Sequence, residues 1–182
     1  SDLRRQRQMC IRDRGKKTKT IESIQAQQKQ YTGIIQLGAT TPSFDLETEI
    51  DQTFETSHLT HDLIAEATQR LTGELDQVPP SFSAKKVNGQ RAYDAARKGQ
   101  MIQLDPKRIS VYGFEAELKD DAAVSFKIDC SKGTYIRSLA RDLGKETNSG
   151  GHLTELRRTR IGDYKVEDAL SIEQMVELIE QS

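Results

Sequence analysis

The stretch CSKGTYIRSLARDLG, residues 130–144, constrains the fold of this chain more than any other part of the sequence. An apolar, alternating pattern that predicts a strand ends at Cys130, and Gly133 permits a sharp turn. A helix is predicted to begin near Thr134. Its core face is predicted to consist of four apolar residues, Ile136, Leu139, Ala140 and Leu143.

Three cationic residues lie near this turn: Lys132, Arg137 and Arg141. A folded core does not require them there, whereas a polyanion would bind them. The free N–H groups at the start of the helix, together with Lys132, are expected to form an anion site. Arg137 neighbours the inward-facing Ile136, so its guanidinium is expected to be partly buried and to need a carboxylate or phosphate partner. The residues alone leave a structural salt bridge and a functional site both open. Lys132 and Arg141 are expected to face solvent or phosphate.

The remaining helix signals are local. KTKTIESIQAQQK is typical of a short polar helix. Thr60 is expected to cap a second helix that ends at Gly73. Its apolar stripe consists of Leu63, Ile64, Ala67 and Leu71. Ser171 and Gln174 have the spacing of a capping box for the last helix.

Strand signals alternate with these helices. QYTGIIQLG predicts one strand, and RISVYGFEAELKD with AAVSFKIDC predicts a hairpin across Asp120-Asp121. Asn88-Gly89 is a strong hairpin-turn signal, and a short helix ending at Gly99 is expected after it. Because helices and hairpin-linked strands mingle without βαβ repetition, we expect an α+β fold: a mixed, largely antiparallel sheet with flanking helices.

Charge is unevenly distributed although the net charge is −1. Residues 44–76 contain nine acidic residues against Arg70 alone, whereas residues 85–108 and 127–160 are basic. One face is therefore predicted to be basic enough to follow a phosphate backbone, and the residues predicted to bind it are Lys85, Lys86, Lys132, Arg141, Arg157 and Arg158. The alternative is an ordinary solvated surface.

Several classes of protein are disfavoured. Cys10 and Cys130 are the only cysteines, so no disulfide framework is expected and a cytoplasmic location is the default. No apolar run approaches the roughly 18 residues of a membrane span. His58 and His61 are expected to be surface histidines, because no third metal ligand lies near them.

The first fourteen residues, SDLRRQRQMCIRDR, differ from the rest of the chain, with five arginines and no apolar periodicity. They resemble the translation of a sequencing adapter, and residues 1–14 are therefore interpreted as a foreign segment and residues 15–182 as the protein's own domain. The alternative is a basic arm that binds nucleic acid.

Four blocks resemble the tRNA pseudouridine-55 synthases of the TruB type. They are KQYTGIIQLGATTPSFDLETEID, QVPPSFSAKKVNGQRAYDAARKG, KGTYIRSLARDLG and SGGHLTELRRTRIGDY. Their order matches that of the family, and the acidic end of the first block is similar to the versions found in Bacteroidetes-type bacteria. The resemblance covers all but residues 1–14 and, less clearly, the last dozen residues.

The resemblance implies a pseudouridine synthase catalytic domain, incomplete at its N-terminus, that acts as a monomer on the tRNA T-arm without metal or cofactor. Such enzymes break the N1–C1′ bond of a flipped uridine, rotate the uracil and rejoin it through C5. By resemblance, Tyr31 stacks on the uracil, Arg137 pairs with the catalytic aspartate and Leu156 forms an apolar wall beside the base.

One departure from the family bears on activity. The block that carries the family's catalytic aspartate, similar to GHxGTLDPxATG, does not occur in this sequence, and Asp2 and Asp13 lack its flanking residues. The chain is therefore expected to be inactive as written. Arg137 is expected to lack its carboxylate partner, so that its removal would not destabilise the fold. A non-catalytic RNA-binding module and an unrelated α+β protein are the alternatives.

Overall fold

The computed structural model describes residues 16–80, 82, 86–87, 90–91 and 104–181. The helices within these ranges are α1 (Ile21–Ala26), α2 (His61–Arg70), α3 (Ile136–Glu146) and α4 (Ile172–Glu180). The strands are β1 (Lys29–Leu37), β2 (Ala39–Thr40), β3 (Gln52–Thr53), β4 (Gly73–Gln77), β5 (Lys86–Val87), β6 (Gln90–Arg91), β7 (Lys107–Leu118), β8 (Ala123–Cys130), β9 (Gly151–Ile161) and β10 (Tyr164–Lys165).

Six strands form one sheet in the order β10-β9-β1-β8-β7-β4. Every neighbouring pair in this sheet is antiparallel. The α+β class and the largely antiparallel sheet are thus confirmed. Strand β1 lies between β8 and β9, and this register places Tyr31 opposite Ile128 on one side and Arg158 on the other.

The core lies between one face of the sheet and helices α2 and α3. Strand β8 alternates buried and half-buried residues along its whole length, as expected for a strand that is covered on one face. The predicted inward face of α3 is confirmed, since Ile136, Leu139, Ala140 and Leu143 are all buried.

Two helix starts follow the predicted signals, whereas α2 ends at Arg70, before the predicted end at Gly73. The Thr60 hydroxyl accepts a hydrogen bond from the Leu63 N–H at 3.2 Å and caps α2. Ser171 and Gln174 form the predicted capping box at the start of α4. Helix α1 is shorter than the predicted polar helix because the chain enters the extended conformation of β1 at Lys29.

One predicted hairpin is confirmed, whereas the acidic segment before α2 contains a strand pair that was not predicted. Strands β7 and β8 pair as the predicted hairpin, and Asp121 at its turn has φ of 56°. The acidic connection, residues 39–58, contains a short antiparallel pair, β2 with β3, that the sequence did not predict. Strands β5 and β6 pair antiparallel on either side of Asn88-Gly89. Those two turn residues, and the helix predicted before Gly99, lie outside the described residues.

Candidate active site

Arg137 lies in the first turn of α3 and its side chain is 22% exposed, in agreement with the expected partial burial. Its Nη1 donates to Asp45 Oδ2 at 2.9 Å and its Nη2 donates to the Phe82 carbonyl at 2.8 Å. A longer contact of 3.5 Å joins Nη1 to the Ser43 carbonyl. The expectation that Arg137 has no carboxylate partner in this chain is therefore wrong.

Asp45, the carboxylate partner of Arg137, is the residue of this site that sequence reasoning missed. Its carboxylate is engaged on both sides, because Oδ1 accepts the Glu47 N–H at 3.0 Å while Oδ2 accepts Arg137. The hydroxyls of Thr41 and Ser43, both buried, donate to the Asp45 carbonyl and fix the loop around it. The sequence does contain a signal for this loop. The run TTPSFD, residues 40–45, has Thr, Pro and Ser before Asp45, which favours an ordered turn over a solvated acidic segment.

The ion pair borders a cavity of about 350 Å³. It is lined by Asp45, Leu46 and Glu47, by Arg137, and by residues 153–156 of β9. Leu156 is 48% exposed, so the cavity has an apolar wall that is accessible from solvent. The structure thus brings together Arg137 and Leu156, two of the three predicted catalytic residues.

Tyr31, the third, does not line this cavity. It lies two residues before Gly33, which pairs with Leu156 across β1 and β9. Its ring packs against the core, and burial raises the pKa of its phenol, whereas a hydrogen bond with Arg158 acts in the opposite direction. Because the larger effect is burial, the phenol stays protonated at neutral pH.

A basic cluster consisting of Lys29, Lys132 and Arg158 lies beside Tyr31. Lys29 pairs with Cys130, two residues before Lys132, and Tyr31, two residues after Lys29, pairs with Arg158. The pKa of Lys29 is lowered, first by burial and to a smaller extent by the charges of Arg158 and Lys132. Sequence reasoning predicted Lys132 and Arg158 but missed Lys29. The Lys29 ammonium donates to the Gln25 and Gln27 carbonyls at 2.7 and 2.8 Å, where α1 ends.

The other predicted RNA-binding residues differ in placement. Arg157 is exposed on β9, Lys86 lies in β5, and Lys85 falls outside the described residues. Arg141 does not face solvent as expected. Its side chain is 14% exposed, is paired with Asp142 at 2.7 Å and lies 5.0 Å from the centre of the Phe44 ring.

The start of α3 also differs from the expected anion site. Gly133 has φ of 84° and makes the predicted sharp turn. The N–H of Tyr135, however, is already bound by the side chain of Gln77 at 2.8 Å. Lys132 is exposed, but this N–H is not free to bind an anion beside it.

The described parts of the chain hold no group of three or more histidine, cysteine, aspartate or glutamate residues that could bind a metal ion. His58 contacts the Thr147 carbonyl at 2.8 Å and so ties the acidic connection to the end of α3. Over the same ranges, no helix is long and apolar enough to cross a bilayer.

Comparison with known families gives two matches that together span most of the chain. Residues 11–136 match the N-terminal domain of the TruB family pseudouridylate synthases, and residues 137–182 match the tRNA pseudouridylate synthase B C-terminal domain. The boundary between them falls at the start of α3, immediately before Arg137.

Curated relatives agree with this assignment. The tRNA pseudouridine synthase B of Phocaeicola vulgatus is 52% identical over 167 residues, covering 92% of this chain and 71% of the relative. The Flavobacterium johnsoniae protein of the same name is 52% identical over 158 residues, covering 87% of this chain and 69% of the relative.

Solved structures share the fold. A Cbf5-Nop10-Gar1 complex matches with a TM-score of 0.63 at 24% identity, covering 88% of this chain and 38% of that chain. An H/ACA RNP bound to a substrate RNA containing 2′-deoxyuridine matches with a TM-score of 0.57 at 21% identity, covering 88% and 37%. The chain therefore spans under half the length of these solved chains.

Proposed function

Because this chain belongs to the TruB family of tRNA pseudouridine synthases, we propose that its site serves the isomerisation of the T-loop uridine at position 55 of tRNA. The reaction cleaves the N1–C1′ bond, rotates the uracil and joins C5 to C1′; C5 releases its proton to solvent and N1 takes one up, so the net change is an isomerisation. The observation that carries the proposal is the Arg137–Asp45 ion pair in the lining of a cavity that Leu156 also lines.

The residues have distinct roles in this proposal. A flipped uracil is held in the cavity with Leu156 excluding water from the reacting bond. The neutral phenol of Tyr31, on the neighbouring strand, packs beside the nucleotide. The basic cluster of Lys29, Lys132 and Arg158, with exposed Arg157, binds the phosphate backbone of the T-arm. Arg141 is not included, since its guanidinium is held by Asp142 and Phe44.

Asp45 is proposed as an orienting residue and not as the nucleophile. One of its oxygens is bound by the Glu47 N–H and the other by Arg137, which stabilises the carboxylate and keeps it in place. No aspartate of this sequence stands in a Gly-Thr-Leu-Asp-Pro context. We therefore expect the 182-residue polypeptide to bind tRNA without converting it, as a monomer in the cytoplasm.

Tritium release from tRNA labelled at uridine C5 tests this proposal, together with binding of a T-arm hairpin measured by fluorescence anisotropy. Binding without tritium release is expected for the polypeptide as written. Tritium release above the blank would show that another residue of this chain serves as nucleophile.

A second candidate, a non-catalytic RNA-binding module, is favoured by one observation, the full engagement of the Asp45 carboxylate. The two candidates differ in the gene. If the reading frame upstream of residue 15 encodes a Gly-Thr-Leu-Asp-Pro block and the complete protein releases tritium, the non-catalytic candidate is excluded. Failure of the polypeptide to bind the hairpin would contradict both candidates.

A further inference from the structure

Gln77, the last residue of β4, makes two hydrogen bonds with the backbone of one residue at the start of α3. The Tyr135 N–H donates to Gln77 Oε1 at 2.8 Å, and Gln77 Nε2 donates to the Tyr135 carbonyl at 3.1 Å. Gln77 is 4% exposed, and these two hydrogen bonds satisfy both polar ends of its buried amide. Tyr135 is the N-cap of α3, whose N-terminus receives no side-chain cap from its own residues. Gln77 therefore supplies the missing cap from another element.

The residues that follow Gln77 hold the same helical turn. The buried Ser138 hydroxyl donates to the Val78 carbonyl at 2.9 Å, and the Arg137 guanidinium donates to the Phe82 carbonyl. Together with the Gln77 bonds, these contacts join the end of β4 and the segment after it to three positions at the start of α3, Tyr135, Arg137 and Ser138. Because Gln77 ends a strand that is paired in the sheet, its bonds and that of the adjacent Val78 set both the depth and the rotation of the first turn of α3.

The partner of Arg137 is anchored separately. The loop that carries Asp45 is tied to β9 by the Leu153 N–H, which donates to the Phe44 carbonyl at 2.9 Å, and it contains its own Thr41 and Ser43 contacts. The Arg137–Asp45 distance is thus set where two independently held elements meet. A displacement of the first turn of α3 would change that distance without moving Asp45.

We propose that Gln77 is a positioning residue that holds Arg137 against Asp45 by capping α3 from the edge strand. Its importance for uridine isomerisation rests on the proposed function, but its effect on the Arg137 guanidinium does not. Two substitutions separate its contributions. Gln77→Met keeps the length of the side chain and removes both hydrogen bonds. Gln77→Glu, in its ionised form, keeps the acceptor for the Tyr135 N–H and removes the donor to the Tyr135 carbonyl.

The chain offers a matched control at the other end of the same helix. Thr147 is 1% exposed, and its hydroxyl donates to the Leu143 carbonyl at 2.9 Å. Thr147→Val removes a buried hydrogen bond near the C-terminus of α3 and leaves its first turn untouched. A loss of general stability would appear in this variant as well, whereas a specific effect on Arg137 would not.

The readout is the rate at which phenylglyoxal modifies individual arginines of the 182-residue chain, measured by peptide mass spectrometry. Arg160 is the internal reference, since it is 28% exposed and paired with Asp129. In Gln77→Met we expect modification of Arg137, relative to Arg160, to accelerate about tenfold, a factor within the range that corresponds to two lost net hydrogen bonds. Gln77→Glu should give a smaller rise, and Thr147→Val none.

An unchanged ratio in Gln77→Met, or an equal rise in Thr147→Val, would overturn the proposal. If Gln77→Met does not fold, Gln77→Glu decides the question below its melting temperature, where an unchanged ratio would overturn the proposal as well. No RNA enters this measurement. A chain that fails to bind the T-arm hairpin would therefore contradict the proposed function and leave the result for Gln77 standing.

Discussion

Replacing Arg137 by methionine should destabilise the 182-residue chain, contrary to the expectation from the sequence alone. The substitution removes two hydrogen bonds of 2.9 and 2.8 Å and leaves the Asp45 carboxylate with the Glu47 N–H. Hydrogen bonds that involve a charged group contribute about 1.5–3 kcal/mol each when well shielded. The pair is 22% and 25% exposed, so solvent screening reduces this sum. We therefore expect a loss of roughly 2 kcal/mol, between the values for surface and buried pairs.

A loss of this size lowers the melting temperature of a domain of this length by about 4–8 °C, which circular dichroism resolves easily. Arg70→Met is the matched control, since Arg70 also bonds a carboxylate at 2.7 Å but is 48% exposed. Its melting temperature should fall clearly less. Asp45→Asn should lower the melting temperature as Arg137→Met does, and the double variant should lose less than the sum of both. An unchanged or raised melting temperature in Arg137→Met would refute the assignment of Asp45 as its partner.

Three further outcomes are expected. Gly144→Ala should strongly destabilise the fold, because a Cβ there would overlap the backbone of residues 150–151 at the start of β9. Gly113→Ala is the control in thermal melts, since a Cβ at Gly113 meets nothing within 4 Å. Burial raises the pKa of the Cys130 thiol from 9.0 to about 11, so the native state retains a proton that the unfolded chain releases. Stability should therefore fall as the pH rises from 9 to 11, and urea titrations of Cys130→Ala should show a flatter profile. Charge reversal at Lys132 and Arg158 should weaken binding of the T-arm hairpin and lower its salt dependence by about one unit of slope per lost phosphate contact; an unchanged slope would mark both as ordinary surface.

The elements of the fold could be predicted because their signals are local. The cap at Thr60, the capping box of Ser171 with Gln174 and the apolar face of α3 each depend on residues within one or two helical turns. The alternation of β8 likewise records which of its side chains face the helices. Predictions from local patterns of this kind hold in the folded protein because the local preferences agree with the tertiary structure.

The partners within the site could not be predicted in the same way. Arg137 binds a carboxylate 92 residues away, and Tyr135 binds a glutamine 58 residues away. Neither pairing leaves a periodic pattern in the sequence. The exposure of Arg141 could not be predicted either. Its position on α3 indicates an exposed side chain, but the Phe44 ring, which lies on a loop distant in sequence, covers it. Such contacts depend on how two separately ordered segments meet.

The ion pair itself bears on the choice between a structural and a functional interpretation of Arg137. Burying an ion pair costs desolvation energy, and apolar residues of the same volume often stabilise a fold equally well or better. A fold that needed only stability at this place would be served by apolar residues in place of both Arg137 and Asp45, whereas replacing one partner alone leaves the other without its ion pair. The chain instead keeps a guanidinium oriented by a carboxylate and a carbonyl, at the edge of an open cavity with an apolar wall. This arrangement favours the functional interpretation, in which the desolvation cost of the ion pair is retained because the oriented guanidinium contacts a ligand in the cavity.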